Sequence, residues 1–374
     1  MESVTALAAA AWILYIYPYA VYPLVLRLLD RRTSKALPLG RRDMKQISHI
    51  ICVHNEKQFI GQKISNCLEM KPTRPQEIIV VCDGCTDGTE EIAQRLAATA
   101  PTVKVLSIPH SGKTTAQNLG AREAAGEALI FSDADTLIPT STVDALGDRL
   151  SEGYACVGAD VRYQNRDTGD SLYIRLEADL KTREARRGVM IGVQGGCYAV
   201  AAEDFVELGP PVLSDLIMPL EMLLRGGAVT FESEAKAYKA SKYPDLRSNI
   251  ARRRRIFSRA LGTLFREGYL ARIARKPRLL FYLVSDKLLR YFIGPLLVLA
   301  IVLTVLAIPR SYLPVAGFVS VILLLGAAII SALSGTRQLS RSRLAGACGF
   351  FITVNVASLL SLADYALGKD YSKW

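Results

Sequence analysis

Ala128-Leu129-Ile130-Phe131-Ser132-Asp133-Ala134-Asp135 is the stretch on which the reading of this chain turns. Its apolar run has the length and character of a buried strand, and two carboxylates follow at the exit with one small residue between them. Hard oxygen ligands at that spacing suit Mg²⁺ or Mn²⁺, ions that share their coordination with substrate phosphates. Asp133 and Asp135 are therefore candidate metal ligands, although Asp-x-Asp taken alone is equally an acidic turn.

About fifty residues upstream the pattern of strand then acid occurs again, in Ile78-Ile79-Val80-Val81-Cys82-Asp83-Gly84, followed by Cys85-Thr86-Asp87-Gly88-Thr89. Residues 47–53 predict another buried strand, ended by His54-Asn55-Glu56, with a helix over 60–70. Strands over 77–82, 103–108 and 127–132 alternate with helices over 89–98, capped by Asp87, and 114–124, opened by Gly112-Lys113. Such alternation with short loops predicts a parallel α/β sheet with nucleotide chemistry at its carboxyl edge. Asn55, Glu56, Asp83, Lys113, Asp133 and Asp135 all fall at that edge. A dinucleotide site is excluded, because His54-Asn55-Glu56-Lys57 stands where a Gly-x-Gly-x-x-Gly is needed. Gly112-Lys113-Thr114 lacks the upstream glycine of a P-loop. Seven cysteines are scattered along the chain. Cys82 and Cys85 have redox or zinc spacing, but no second pair follows and the three histidines do not complete a zinc site. The weight of that segment is assigned to Asp83 and Gly84.

The flanks are of a different material. Half of the 374 residues are hydrophobic and the mean hydropathy is +0.21, too apolar for an ordinary soluble protein. Uncharged runs over 3–26, 291–308, 311–333 and 344–363 each come near the ~20 residues that cross a bilayer as a helix. Residues 1–30 are thus expected to be a retained anchor rather than a signal peptide, and 291–367 three further spans. Asp364 and Asn355 make the last span the least secure. Arg27, Arg31, Arg32, Lys35, Arg41 and Arg42 follow the first run, and Arg272, Arg275, Lys276 and Arg278 precede the second. This bias puts the 45–245 domain in the cytoplasm of a multi-pass protein of the cell (inner) membrane. The net charge of +11 comes largely from these clusters and implies contact with anionic membrane lipids, not nucleic acid. Between domain and spans, residues 246–290 are expected to hold an amphipathic interface helix. Phe257, Ala260, Leu261, Leu264 and Phe265 form its apolar stripe, with Arg252 to Arg255 nearby; a core helix with an exposed basic face is the other reading.

Taken together, these residues resemble the membrane-bound glycosyltransferase family 2, over nearly the full length. His54-Asn55-Glu56 stands where that family has Tyr-Asn-Glu, and Asp83-Gly84-Cys85-Thr86-Asp87-Gly88-Thr89 is similar to its Asp-Gly-Ser-Thr-Asp-Gly-Thr. Gly112-Lys113 with Asn118 resembles its Gly-Lys helix, and Asp133-Ala134-Asp135 its Asp-x-Asp. Gly195-Gly196-Cys197-Tyr198-Ala199 resembles the strand under the acceptor channel. Ser214-Asp215-Leu216 resembles the segment of the general base, with Ser214 in place of a first acid. Where polymerising relatives carry Gln-x-x-Arg-Trp, this chain has Arg252-Arg253-Arg254-Arg255-Ile256, a departure that argues against processive synthesis.

The resemblance implies an α/β GT-A cytoplasmic domain and an inverting, metal-dependent transfer of sugar from a UDP-sugar donor, in extracellular polysaccharide synthesis. The acceptor would be a glycan or a lipid-linked sugar; export or polymerisation subunits are not specified. Under it, Asn55, Glu56, Asp83, Lys113 and Asp133 would bind the nucleotide-sugar. Asp133 and Asp135 would hold Mn²⁺ or Mg²⁺, and Asp215 would take the acceptor proton. Gly195, Gly196, Arg252 and Arg255 would serve acceptor and diphosphate. Two plainer readings stay open: Asp215 as a helix N-cap and Lys113 as a solvated helix-start lysine. Two other functions also stay open. One is a polyprenyl-phosphate sugar transferase, whose acceptor phosphate needs little base assistance. The other is a non-catalytic transport or scaffold protein with a nucleotide-binding domain.

Overall fold

The computed structural model describes residues 2–30, 40–163, 170–240, 246–307 and 343–369, together with 319 and 371. The apolar run over 311–333 lies, but for residue 319, outside the described residues. The chain divides into two units, one built mainly from Thr33–Gln164 and Ala178–Ser241, the other from Met1–Arg32, Asn165–Glu177 and Lys242–Lys369.

The first unit is an eight-stranded sheet. In chain order its strands are β1 (Ile47–Val53), β2 (Gln76–Asp83), β3 (Val103–Ile108), β4 (Ala128–Ser132), β5 (Thr136–Leu137), β6 (Cys156–Tyr163), β7 (Cys197–Ala201) and β8 (Val229–Lys239). They lie in the order β3-β2-β1-β4-β7-β6-β8-β5. Every residue of β1 and β4 is buried, which is why both read as continuous apolar runs rather than alternating ones. Each Ile or Val so buried contributes roughly 1.5–3 kcal/mol, and Ile47, Ile51, Ile64, Val80, Ile130 and Val157 belong to one core.

The parallel sheet expected from residues 47–132 is present, and it forms one part of a mixed sheet. β3, β2, β1 and β4 are parallel. Beyond β4 the chain returns on itself: β7 runs antiparallel to β4 and to β6, β8 runs parallel to β6, and β5 antiparallel to β8. The reversal sets the segment before β7 against the exit of β4, where the acids lie. Between β6 and β8 the register shifts, from Ala159 opposite Glu232 to Asp160 opposite Lys236.

The second unit is helical. Among the described residues, two helices are long and apolar enough to cross a membrane, Ser3–Leu29 and Gly349–Ala366. A bent pair, Pro277–Tyr291 and Ile293–Ala307, adds a third if its 72° bend lies within one span. Pro18, which has no N–H for the helical ladder, lies in a π-helical turn at Tyr17–Val21. Intramembrane polar groups are costly unless paired, and those in doubt from the sequence have partners. Asn355 donates to Tyr15 Oη at 3.1 Å and to the Phe351 carbonyl, and Trp12 donates to Thr304. Asp364 accepts from Arg254 at 2.5 Å and pairs with Lys369 at 2.9 Å.

The interface-helix expectation changes here. In Leu246–Leu261 and the π-helical turn Gly262–Arg266, the stripe residues Phe257, Ala260, Leu261 and Leu264 are buried, and Phe265 is exposed. The stripe lies against Arg343–Ala366: Ser258 donates to the Ser361 carbonyl, and Phe265 meets Tyr365. A helix about a hundred residues downstream covers it, and periodicity alone could not distinguish that cover from lipid.

Candidate active site

The carboxyl edge of β1, β2 and β3 builds the first part of the site. Asn55 is the one described non-glycine residue at positive φ (54°). Its Oδ1 accepts from the Thr86 amide at 2.8 Å, so it ties the turn after β1 to the loop after β2. Asp87 is one residue farther from its helix than a cap: Gly88 (φ 92°) is the N-cap of Thr89–Ala97, while Asp87 accepts from the amides of Thr89 and Lys57. The Glu56 amide donates to Thr89 Oγ1 at 2.9 Å, so the same turn is held twice.

Asp83 is fully buried. It accepts from the amides of Ser111 at 2.5 Å and Gly112 at 2.9 Å, and so fixes the loop that delivers Lys113. Gly84 allows this: at φ 62°, a Cβ there would stand 2.7 Å from the His110 amide nitrogen. The histidines also depart from the sequence reading. His54 and His110 stack at 4.1 Å, and with Asp83 they offer metal-ligating atoms within 4.8 Å of one another. They follow β1 and β3 on either side of β2, and parallel strand order joins positions 56 apart in the chain. The Asp83 carbonyl takes a 2.7 Å hydrogen bond from His54 Nδ1, and its carboxylate is engaged by amides. Both histidines are thus tied to the Asp83 carbonyl and stacked on one another at this edge.

The second part lies at the exit of β4. Lys113 Nζ is 2.5 Å from Asp133 Oδ1 and 3.4 Å from the Gly195 carbonyl. It is no solvated helix-start lysine. Lys239, the last residue of β8, is 2.5 Å from Asp133 Oδ2 and 3.2 Å from Asp135 Oδ1. Burial alone would push the Asp133 carboxyl up, but the two ammoniums overcome it and hold that carboxyl well below the usual carboxylate range. Both carboxylates converge on a point that a cation already occupies. The donors are hard oxygens, so the pair fits Mg²⁺ or Mn²⁺.

The third part is carried by the reversal of the sheet. The Asp133 amide donates to the Gly196 carbonyl at 3.1 Å, which sets Gly195-Gly196 beside the acids. Asp215 stands on the other side. It is the second residue of helix Ser214–Leu224, whose N-cap is Leu213, so it is not the cap. Its Oδ2 lies 2.7 Å from where a Gly195 Cβ would be, and its Oδ1 is buried with no hydrogen-bond partner among the described residues. Asn118 pins the approach to this helix by exchanging hydrogen bonds with the Leu208 carbonyl and amide.

The structure therefore brings Asp83, Lys113, Asp133, Asp135, Gly195, Gly196 and Asp215 into one connected set, with Asn55 and Glu56 in its supporting turn. Arg252 and Arg255 lie in Leu246–Leu261, in the helical unit. Two contributors were missed. Lys239 sits in a strand with no motif around it. Lys63 is fully buried and donates to the Thr136 carbonyl at 2.6 Å, just behind the acids; a lysine on a helix's buried face looks solvated until the fold is known.

Residues 48–202, which hold most of this constellation, match the family described as Glycosyl transferase family 2. This stretch is a family 2 glycosyl transferase domain. The domain is 31% identical over 150 residues to an undecaprenyl-phosphate 4-deoxy-4-formamido-L-arabinose transferase of Pectobacterium atrosepticum, covering 39% of this chain and 44% of that one. It is 28% identical over 119 residues to a poly-beta-1,6-N-acetyl-D-glucosamine synthase of Staphylococcus aureus, covering 32% and 29%. The chain thus spans less than half the length of these curated relatives. A mannosyltransferase of Pyrobaculum calidifontis, solved with GDP-Man and Mn²⁺, superposes with a TM-score of 0.71 at 18% identity, covering 98% of this chain and all of that one. The family 2 domain thus has the GT-A-like α/β fold.

Proposed function

We propose that the chain transfers a sugar from a UDP-sugar to a hydroxyl of a glycan or lipid-linked acceptor, with inversion, at the cytoplasmic face of the cell membrane. The observation that carries this reading is Asp215 Oδ1. It is a buried carboxylate oxygen with no partner among the described residues, across a glycine from a lysine-neutralised acid pair. That oxygen carries no donor from the described residues, so it is open to an acceptor hydroxyl, whose proton a positioned carboxylate can take. Asp133, by contrast, has its charge balanced and suits a binding role.

The residues divide the work. His54, Asn55 and the loop held by Asp83 receive the nucleoside. Lys113 offers positive charge to the donor phosphates. A divalent cation held by Asp133 and Asp135 would neutralise the charge that develops on the departing diphosphate. Gly195 keeps the space between donor and Asp215 free of side chain, so that an acceptor hydroxyl can meet the carboxylate and attack from the side opposite the diphosphate. A single displacement of that kind inverts the anomeric centre. The cytoplasmic orientation rests on the lysine and arginine bias around the apolar runs.

The test uses detergent-purified full-length protein with Mn²⁺, a panel of UDP-sugars beside GDP-Man, and membrane lipid extract, read by mass spectrometry of products. A UDP-dependent sugar mass on a lipid or glycan supports the proposal, and a ladder of such masses makes the enzyme a polymerase. Turnover of GDP-Man alone overturns the UDP assignment, and no turnover of any donor overturns the reading as a whole. A second reading, with polyprenyl phosphate itself as acceptor, is favoured by the Pectobacterium relative named for undecaprenyl phosphate. A phosphate needs no base, so under that reading Asp215→Asn retains its rate.

A further inference from the structure

Lys239 touches both acids of the Asp-x-Asp, and no motif announces it. Its place is set by the sheet. It lies opposite Thr136 in the β5–β8 pair, one residue beyond Asp135, and the next amide, Ala240, donates to the Asp135 carbonyl at 2.8 Å. Backbone pairing on both sides of the acid therefore aims this side chain into the turn. Its ammonium bridges Asp133 Oδ2 and Asp135 Oδ1 at 2.5 and 3.2 Å. The same two carboxylates are the ones that would hold a divalent cation.

Charge balance governs how readily this point takes a metal. Asp133 and Asp135 contribute two negative charges, Lys113 and Lys239 two positive ones, so the cluster is close to neutral as it stands. A divalent ion entering beside Lys239 meets an ammonium a few ångströms away, in surroundings where like charges repel by several RT. Without Lys239 the same acids carry an uncompensated charge and attract the ion.

We propose that Lys239 is a built-in counter-ion which a divalent cation must displace, and that an incoming nucleoside diphosphate relieves the competition by drawing the ammonium onto its own phosphate oxygens. The metal site is then closed to free cations and opened by the donor. Metal and nucleotide bind with positive coupling, which by linkage is the same in either order. The nucleotide half rests on the proposed function; the competition between lysine and metal does not.

The experiment titrates detergent-purified full-length protein with Mn²⁺ alone, following free Mn²⁺ by electron paramagnetic resonance, and repeats the titration with saturating UDP. Without UDP, Lys239→Met is expected to bind Mn²⁺ at least roughly tenfold more tightly than the unaltered protein. Lys239→Arg, which keeps the charge, should bind no more tightly than the unaltered protein. Adding UDP should tighten the unaltered protein far more than Lys239→Met, so that the two converge. Asp135→Asn introduced into Lys239→Met should abolish the gain, which locates the ion at these acids. Equal Mn²⁺ affinity of Lys239→Met and the unaltered protein overturns the proposal, and so does tight binding by Lys239→Arg. If UDP binds none of the variants while the Met and Arg results stand, the nucleotide-sugar reading fails and the lysine competition survives.

Discussion

Two acidic segments face each other across Gly195 and are treated in opposite ways. In the turn at 133–135, Asp133 is held by two ammoniums and Asp135 by one of them. At the start of Ser214–Leu224, Asp215 keeps a buried oxygen with no partner among the described residues. The difference shows how one residue type is put to two uses. A carboxylate paired with ammoniums becomes an electrostatic seat for phosphates and cations, while one whose oxygen has no donor is open to an acceptor hydroxyl. The elements explain the asymmetry. The turn is bounded by a lysine-bearing helix start and a lysine-ended strand, whereas Asp215 faces a glycine.

The contrast breaks most sharply at Asp215. Asp215→Asn keeps shape and removes basicity, and is expected to lower kcat by about 10²- to 10⁴-fold with little change in donor KM. Steady-state kinetics with varied donor checks this, and an unchanged kcat would favour a phosphate acceptor. Next in size is Gly195→Ala. Its Cβ would stand 2.7 Å from Asp215 Oδ2, so the carboxylate must move, and a displacement of that order costs about 10²-fold in kcat. A wild-type rate in this variant would mean that the glycine is not what shapes the approach.

Smaller effects sharpen the other side. Lys63→Met removes the ammonium behind the acidic turn and leaves the Thr136 carbonyl without its donor, a loss of about 1–3 kcal/mol in stability. It should appear as a lowered Tm, and an unaltered Tm would remove Lys63 from the support of the turn. The least disruptive probe is chemical. The hydrogen bond from Cys82 draws the Cys85 thiol down to about 7, while burial pushes Cys52 and Cys197 up to about 12. Iodoacetamide should therefore modify Cys85 ahead of those two, slowly below pH 7, where the thiol is protonated, and faster as pH rises through 7. Peptide mapping across pH reads this; a reaction flat below pH 8 would refute the lowered thiol. Protection by UDP would place the nucleoside beside the loop after β2.

How much of this was legible in the sequence tracks the same divide. The β1–β4 half is made of local units, each a strand, a turn and a helix. Asp83, Lys113 and Asp133 could be placed at one edge because every strand delivers its last residues there. The other half depends on pairings between distant segments. Gly195 and Asp215 were found through their resemblance to a known pattern, and their mutual contact was not visible. Lys239 was missed because nothing in its neighbourhood marks it; its meaning comes from Thr136, 103 positions away in the chain. His110 and His54 were dismissed for lack of zinc spacing, a rule that counts along the chain and not across parallel strands. The stripe that begins in Leu246–Leu261 was expected at the membrane interface, with a core helix as the other reading, because periodicity shows a buried face and not what covers it.

The register shift between β6 and β8 makes segment length a functional variable. Ala159 pairs with Glu232, yet Asp160 pairs with Lys236, so three residues of β8, 233–235, are looped out of the ladder before Lys239 is reached. Side chains alternate faces along a strand. If the shift were smaller by one residue, with the pairing beyond it carried along, Tyr238 would stand opposite Thr136 and the ammonium would point away from the acids. A slip of this register can therefore switch the counter-ion in or out without altering one residue of the site.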